Sequence, residues 1–242
     1  MVHTLPDYTT KYRLTRFFAN IDDAELAVRL GSPVTMDRRG SVVWYDDFKT
    51  AFNKWGVNYS VGTGWTGLSH NTANHGESSL MVRTPDNVGA IVSLSKSLNS
   101  IKGERIGLEV SWCSEDDFPR IGLLYYQYDG ANYTQGILWF YTETDKMYVQ
   151  DETAALVEIA SNVGWAEDLH AWYTMKVVMD LAKGKYVRAI FNNDEYDIST
   201  IGIRKVADAT PDKLLLQMLV YHTDAREYDV YLDDFILTTD EP

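Results

Sequence analysis

Residues 121–142 read IGLLYYQYDGANYTQGILWFYT, and the architecture can be worked out from this stretch. Two runs rich in aromatic and aliphatic residues, Ile121–Tyr128 and Thr134–Thr142, flank the dipeptide Asp129-Gly130. Asp-Gly between two such runs is a common signal for a β-hairpin. Aromatic residues fall on both faces of the two predicted strands, so one face can pack into a core while the other meets something outside.

The same kind of run recurs on both sides of this hairpin, separated by turn sequences such as Lys183-Gly184 and Asn192-Asn193-Asp194. No helical pattern alternates with these runs, so the chain is predicted to be all-β, an antiparallel jelly-roll sandwich formed by residues 41–242. The ten further predicted strands are Val42–Phe48, Ser79–Thr84, Ala90–Leu98, Ile106–Cys113, Met147–Gln150, Val157–Ala160, Tyr173–Asp180, Lys185–Phe191, Leu214–Thr223 and Tyr228–Thr238.

Residues 1–40 differ from this body in charge. They hold six basic and five acidic residues, whereas the rest of the chain holds 16 basic and 30 acidic ones. Within this N-terminal arm, Asp22–Gly31 begins with acidic cap residues and ends on glycine, which predicts a short helix. A near-neutral arm on an acidic body suits contact with neighbouring copies. The predicted contact residues are Tyr12, Arg13, Arg16, Phe17 and Phe18.

Composition excludes several classes of function. The net charge of −13 argues against nucleic-acid binding, because the few cations of the arm cannot offset the repulsion of the body. No apolar run is long enough for a membrane span or a signal peptide, so synthesis in the cytoplasm and no membrane insertion are expected. The single cysteine, Cys113, allows no disulfide within the chain.

Four segments together resemble the jelly-roll sandwiches of carbohydrate-binding modules and of laminin-G or concanavalin-like lectin domains. They are Trp44–Phe48 with the following Trp55, His75–Val82, Trp172–Asp180 and Val230–Leu237. Tyr173 stands where the third motif usually has histidine. The arm, in turn, is similar to uncharacterised proteins of phage structural gene sets. The resemblance implies the fold for residues 41–238 and says little about activity.

Paired acids near the first and last strands suggest a cation site. Hard oxygen ligands of this kind suit Ca²⁺, and a structural calcium is common in the families resembled. The matching positions are Asp46, Asp47, Glu77 and Asp234. The alternative is that these acids end strands or join a solvated acidic face. In the last strand Asp234 falls among apolar positions, which predicts a β-bulge near Asp233-Asp234 or a buried acid that needs a partner.

The leading hypothesis from these observations is a non-catalytic structural or surface-attachment subunit, assembled through the arm into a homo-oligomer or with other structural proteins. A phage-like virion or another extracellular assembly is its expected location. The alternative is a soluble carbohydrate-binding module whose ligand face includes Tyr126, Tyr128, Gln135, Trp139 and Tyr141. The other interpretation is that these two strands are buried on both faces, in which case they contact neither a glycan nor a neighbouring subunit.

A glycoside hydrolase is the least favoured class. Retaining enzymes need two carboxylates about 5 Å apart, and on this kind of sandwich they usually follow a Glu-x-Asp-x-x-Glu pattern. Glu227-Tyr228-Asp229 supplies only the first half of that pattern. The chain is therefore predicted not to be an enzyme.

Overall fold

The computed structural model describes residues 37, 39–49, 54–101, 104–116, 120–169 and 171–242. Within these residues sixteen strands form two sheets, and every strand pair is antiparallel. The strands are β1 (Ser41–Asp46), β2 (Gly56–Tyr59), β3 (Trp65–Ser69), β4 (Ser79–Arg83), β5 (Ile91–Leu98), β6 (Arg105–Ser114), β7 (Arg120–Tyr128), β8 (Asn132–Tyr141), β9 (Lys146–Gln150), β10 (Leu156–Ser161), β11 (Tyr173–Asp180), β12 (Lys185–Phe191), β13 (Asp194–Asp197), β14 (Arg204–Ala207), β15 (Lys213–Tyr221) and β16 (Asp229–Thr239).

The two sheets have eight strands each. Sheet A runs in the order β13-β12-β11-β6-β16-β4-β3, with β1 also paired to β16. Sheet B runs in the order β10-β9-β8-β7-β15-β5-β2, with β14 paired to β8. The all-β antiparallel sandwich predicted from the sequence is confirmed.

The core lies between the sheets and follows the alternation of each strand. On sheet A it takes Leu108 and Val110 of β6 and Met175 of β11, and on sheet B it takes Leu123 and Tyr125 of β7, all buried. Because successive side chains of a strand point to opposite faces, the residues between these positions lie on the outward sides of the sandwich.

All twelve predicted strands are present, and four short ones were not predicted. These are β2, β3, β13 and β14. Glycine, asparagine and charged residues give them little local β signal, so pairing with a longer neighbour holds them in the sheets. One predicted turn is shorter than expected, because Asp194 already begins β13 while Asn192 adopts the left-handed conformation.

The bulge predicted in the last strand is confirmed. The pairing of β16 with β6 shifts between Asp233 and Ile236, and Asp234 has φ of +49°. Both acids are buried, with 0% and 1% of their surface exposed. The register of the strand therefore changes at the point where the alternation of the sequence breaks.

The predicted arm helix and the five predicted arm contact residues lie outside the described residues, so these remain predictions. Among the described residues no helix is long and apolar enough to cross a membrane.

Candidate functional site

The outward side of sheet B carries a group of partly buried aromatic rings. Tyr125 of β7 points into the core, so the alternation of the strand places the side chains of Tyr126 and Tyr128 on the outward side. Residues directly opposite each other on paired strands point to the same side of the sheet. Gln135, opposite Tyr126, and Tyr133, opposite Tyr128, therefore also lie on the outward side. We call this surface the aromatic face. Its rings are Tyr126, Tyr128, Tyr133, Trp139, Tyr141, Tyr148 and Tyr221.

Three tyrosines form one end of the aromatic face. The ring of Tyr126 stacks on that of Tyr128 with centroids 6.4 Å apart. Tyr133 packs at 5.8 Å against each of them. The three rings are partly buried, and together they form a platform that side chains on neighbouring strands hold in place.

A second group of rings lies further along the same strands. Trp139 meets Tyr141 edge-on at 6.5 Å, and Tyr141 packs on Tyr148 at 4.7 Å. Gly122 lies opposite Trp139, and a Cβ added there would come within 2.6 Å of the indole ring. The missing side chain lets the indole lie across the backbone of β7, with one flat side outward.

Polar groups within the face hold the rings in position. The side-chain amide of Gln135 donates to the Tyr126 hydroxyl over 2.8 Å and accepts from Arg204 over 3.4 Å. Gln135 is 7% exposed, so it orients Tyr126 more than it meets solvent. Burial raises the pKa of Tyr126 and of Tyr141, and their hydroxyls therefore remain protonated donors near neutral pH.

The five predicted ligand residues all lie on this one face. Sequence reasoning missed Tyr148 of β9, Tyr221 of β15 and Arg204 of β14, which strand pairing brings beside them. It also missed Arg120 and Tyr133, which lie one residue outside the predicted strands 121–128 and 134–142. Only these two had a local signal, because they continue the alternation of the predicted ligand residues on β7 and β8.

The acids at the bulge of β16 meet the loop before β4. Asp234 accepts from the Tyr45 hydroxyl and the Asn74 amide, each over 2.9 Å, and its Oδ2 lies 2.5 Å from Nδ1 of His75. The backbone N–H groups of Asn74 and His75 donate to Asp233. Burial and the neighbouring Asp234 raise the pKa of Asp233 to about 7, and the hydrogen bond to Asp234 raises the pKa of His75.

The other predicted calcium ligands also face protein donors. Asp46 accepts from the indole N–H of Trp55 over 3.1 Å and from the backbone N–H of Phe48. Asp47 forms an ion pair of 2.7 Å with Lys49, and Glu77 lies in a shallow cleft beside the same lysine. Among the described residues no group of three or more acidic, histidine or cysteine side chains is arranged to hold a metal ion. Protein donors thus already contact the carboxylates of Asp46, Asp47 and Asp234, and a calcium titration tests whether Ca²⁺ binds there.

Glu227 and Asp229, the half-motif considered for glycoside hydrolysis, do not lie on the aromatic face, because Asp229 begins β16 of sheet A and Glu227 precedes that strand. Both contact Arg83, which binds Asp229 at 2.6 Å and lies 3.9 Å from Glu227.

No protein-family model matches the chain, and neither does any curated protein. Solved structures are similar in fold. A sialidase aligns with a TM-score of 0.51 and 9% identity over 86% of this chain, which spans only 19% of that protein. Endo-β-1,4-glucuronan lyase from the fungus Trichoderma reesei aligns with a TM-score of 0.53 and 14% identity, covering 82% of this chain and 96% of the lyase.

A protein of unknown function with a galectin-like fold, from Bacillus subtilis, is similar to the same extent. Its TM-score is 0.52 with 12% identity, and the match covers 84% of this chain and 98% of that one. At these identities the likeness shows the fold alone. It confirms the resemblance to lectin-like and carbohydrate-binding jelly rolls, and it gives no support to a virion role.

Proposed function

We propose that this protein is a non-catalytic carbohydrate-binding domain and that the aromatic face is its ligand surface. The observation that carries the proposal is the placement of seven partly buried rings on one outward side of sheet B. Aromatic rings with a flat side outward suit the apolar faces of sugar rings, and the hydroxyls at their edges suit sugar hydroxyls.

The structural neighbours support the proposal through the fold they share with this chain. The sialidase and the glucuronan lyase are named for carbohydrate substrates, and the Bacillus subtilis protein for its galectin-like fold. Two of these names denote enzymes, so release of sugar products is assayed alongside binding.

Trp139→Ala tests the proposal. Retention of the full-length protein is measured by affinity electrophoresis on a panel of neutral and acidic polysaccharides. The wild type is expected to bind at least one of them, and the variant about tenfold more weakly, a loss of roughly 1.4 kcal/mol of binding free energy. Folding should survive, because the indole lies outside the core.

Trp65→Ala is the matched control. Trp65 is 48% exposed and lies on β3 of sheet A, so its loss should leave binding unchanged. If no polysaccharide is retained, or if the two variants bind equally well, the aromatic face is not a glycan site.

The assembly hypothesis is tested separately, because most of the arm, residues 1–36 and 38, lies outside the described residues. Light scattering of the full chain and of a chain beginning at Ser41 decides it. If only the full chain forms an oligomer, the arm is required for assembly. That result would not change the interpretation of the glycan-binding test.

A further inference from the structure

Arg120 is held between two tyrosine rings of the aromatic face. It begins β7, with Tyr141 opposite it on β8 and Tyr221 opposite it on β15. The guanidinium carbon lies 4.1 Å from the ring centroid of Tyr141 and 4.8 Å from that of Tyr221. Nη1 also donates to the Tyr141 hydroxyl over 3.3 Å. The rings thus fix the plane of the guanidinium group.

The ion pairing of Arg120 differs from that of most described arginines. Five others bind carboxylates within the protein. They are Arg39, Arg83, Arg105, Arg188 and Arg226. Among the described residues Arg120 forms no ion pair, and its buried Nε has no hydrogen-bond partner. In a chain with 35 acidic residues this arginine is fixed in place without a carboxylate.

Arg204 is the other described arginine without a carboxylate, and it lies on the same face. Its contact is Gln135, which is opposite Tyr126. Arg120 and Tyr126 are six residues apart on β7, so the two arginines are separated by about 20 Å along the strands. Between them lie Trp139 and Tyr126. The described part of the aromatic face therefore presents two arginines that lack carboxylate partners, and Lys213 lies 5.0 Å over the Tyr128 ring, although the whole chain is acidic.

We infer that the ligand of this face is a polysaccharide that carries carboxylates, a chain containing uronic acids, and that Arg120 binds one of those carboxylates. The inference rests on the proposed function. A planar guanidinium group binds a carboxylate through two parallel N–H donors, and a group already fixed by its neighbours loses little entropy on binding. Trp139 then stacks on a nearby sugar ring, and Arg204 contacts a carboxylate further along the same chain.

The test compares ligands that differ only in their carboxylates. The probes are oligogalacturonate, oligoglucuronate and alginate oligosaccharides, each beside the neutral oligosaccharide made by reducing its carboxyl groups. Titration calorimetry on the full-length protein is expected to show binding of at least one uronan. We expect carboxyl reduction to weaken that binding about tenfold or more, and added salt to weaken only the acidic ligand.

Arg120→Gln is expected to lower the affinity for the uronan about tenfold and to leave the reduced ligand unaffected. Arg226→Gln is the control, because Arg226 is an exposed arginine paired with Asp224 and should not matter for binding. If Arg120→Gln fails to fold, Arg120→Lys keeps the charge without the planar donor pair and should still bind the uronan several-fold more weakly.

The outcomes separate this inference from the proposed function. Equal binding of acidic and reduced ligands leaves glycan binding standing and overturns the role of carboxylates. Equally strong binding of a sulfated neutral glycan overturns the preference for carboxylate. Binding of no glycan at all, neutral or acidic, overturns both.

Discussion

The outward sides of the two sheets carry opposite kinds of side chain. On sheet A charged groups are buried, and Lys176 and its ion-pair partner Glu241 are 1% and 3% exposed. On sheet B partly buried rings surround Arg120, which forms no ion pair with any described residue. The buried charge of Lys176 thus has counter-ions within the protein, whereas Arg120 has aromatic neighbours and no carboxylate partner among the described residues.

The charged cluster on sheet A connects both ends of the described chain to the sandwich. Nζ of Lys176 lies 2.7 Å from Glu241 and 2.9 Å from Asp37, which precedes β1. Arg188 of β12 contacts the same two carboxylates. Burial acts to raise the pKa of Asp37, but the hydrogen bond from Arg39 and the charge of Lys176 outweigh it and lower this pKa to about 2.

Removing the central cation of this cluster should have the largest effect on stability. Lys176→Met removes the cation that Asp37 and Glu241 share, which leaves Glu241 with Arg188 and Asp37 with Arg188 and Arg39. Breaking a buried pair in this way costs about 3–5 kcal/mol. Urea unfolding measures the loss. The control is Lys213→Met, because Lys213 lies 5.0 Å over the Tyr128 ring on the aromatic face. This change should stay within about 0.5 kcal/mol. Equal losses would mean that the two outward sides do not differ in this way.

Glu109 should make stability fall as the pH rises. Burial raises its pKa to about 8, even though the nearby Lys176 acts to lower it. The folded protein therefore keeps a proton that the unfolded chain gives up above about pH 4.5, so stability is full at low pH and declines as the pH approaches 8. We expect a loss of about 3–4 kcal/mol between pH 5 and pH 8, since each pKa unit corresponds to about 1.4 kcal/mol.

Glu109→Gln should flatten this dependence, because the amide does not titrate. Thermal midpoints of wild type and variant across the same pH range measure it. Glu158→Gln is the control, since Glu158 is an exposed partner of Lys146 on the aromatic side. A variant that retains the full wild-type slope would assign the proton to another group.

The strands and part of the aromatic face could be predicted from the sequence. Asp129-Gly130 and the alternation of Tyr126 and Tyr128 are local signals, and local signals predicted β7, β8 and their shared side. The position of Tyr221 beside Arg120 depends on β15 pairing with β7, which no local pattern encodes. The burial of Lys176 likewise depends on residues from both ends of the described chain. The apolar run around this lysine therefore does not predict its ion pairs.

His75 should contribute a smaller pH effect at the bulge of β16. Its hydrogen bond to Asp234 raises its pKa, so its contribution is full below the pKa of an unfolded histidine and is lost as the pH rises through the folded value. His75→Asn should remove about 1 kcal/mol at pH 6 and less at pH 8. The readout is the difference in unfolding free energy between the two pH values. His70→Asn serves as the control, because the His70 ring contacts only the Glu77 carbonyl at an exposed site. An equal loss at both pH values would show that His75 acts by packing and not by charge.

Calcium should have the smallest effect of all. The carboxylate of Asp234 already accepts hydrogen bonds from Tyr45 and Asn74 and lies against His75, so a cation would have to displace donors that the protein supplies. A ligand that binds only the folded state raises stability with the logarithm of its concentration, by about 2.7 kcal/mol at one hundred times its dissociation constant. We expect millimolar CaCl₂ to move the thermal midpoint by less than about 1 °C relative to EDTA, with MgCl₂ as the control for ionic strength. A midpoint that climbs steadily with calcium, and falls again when Asp46 or Asp234 is changed to Asn, would show that sheet A does depend on an outside counter-ion and that the contrast between the two outward sides is incomplete.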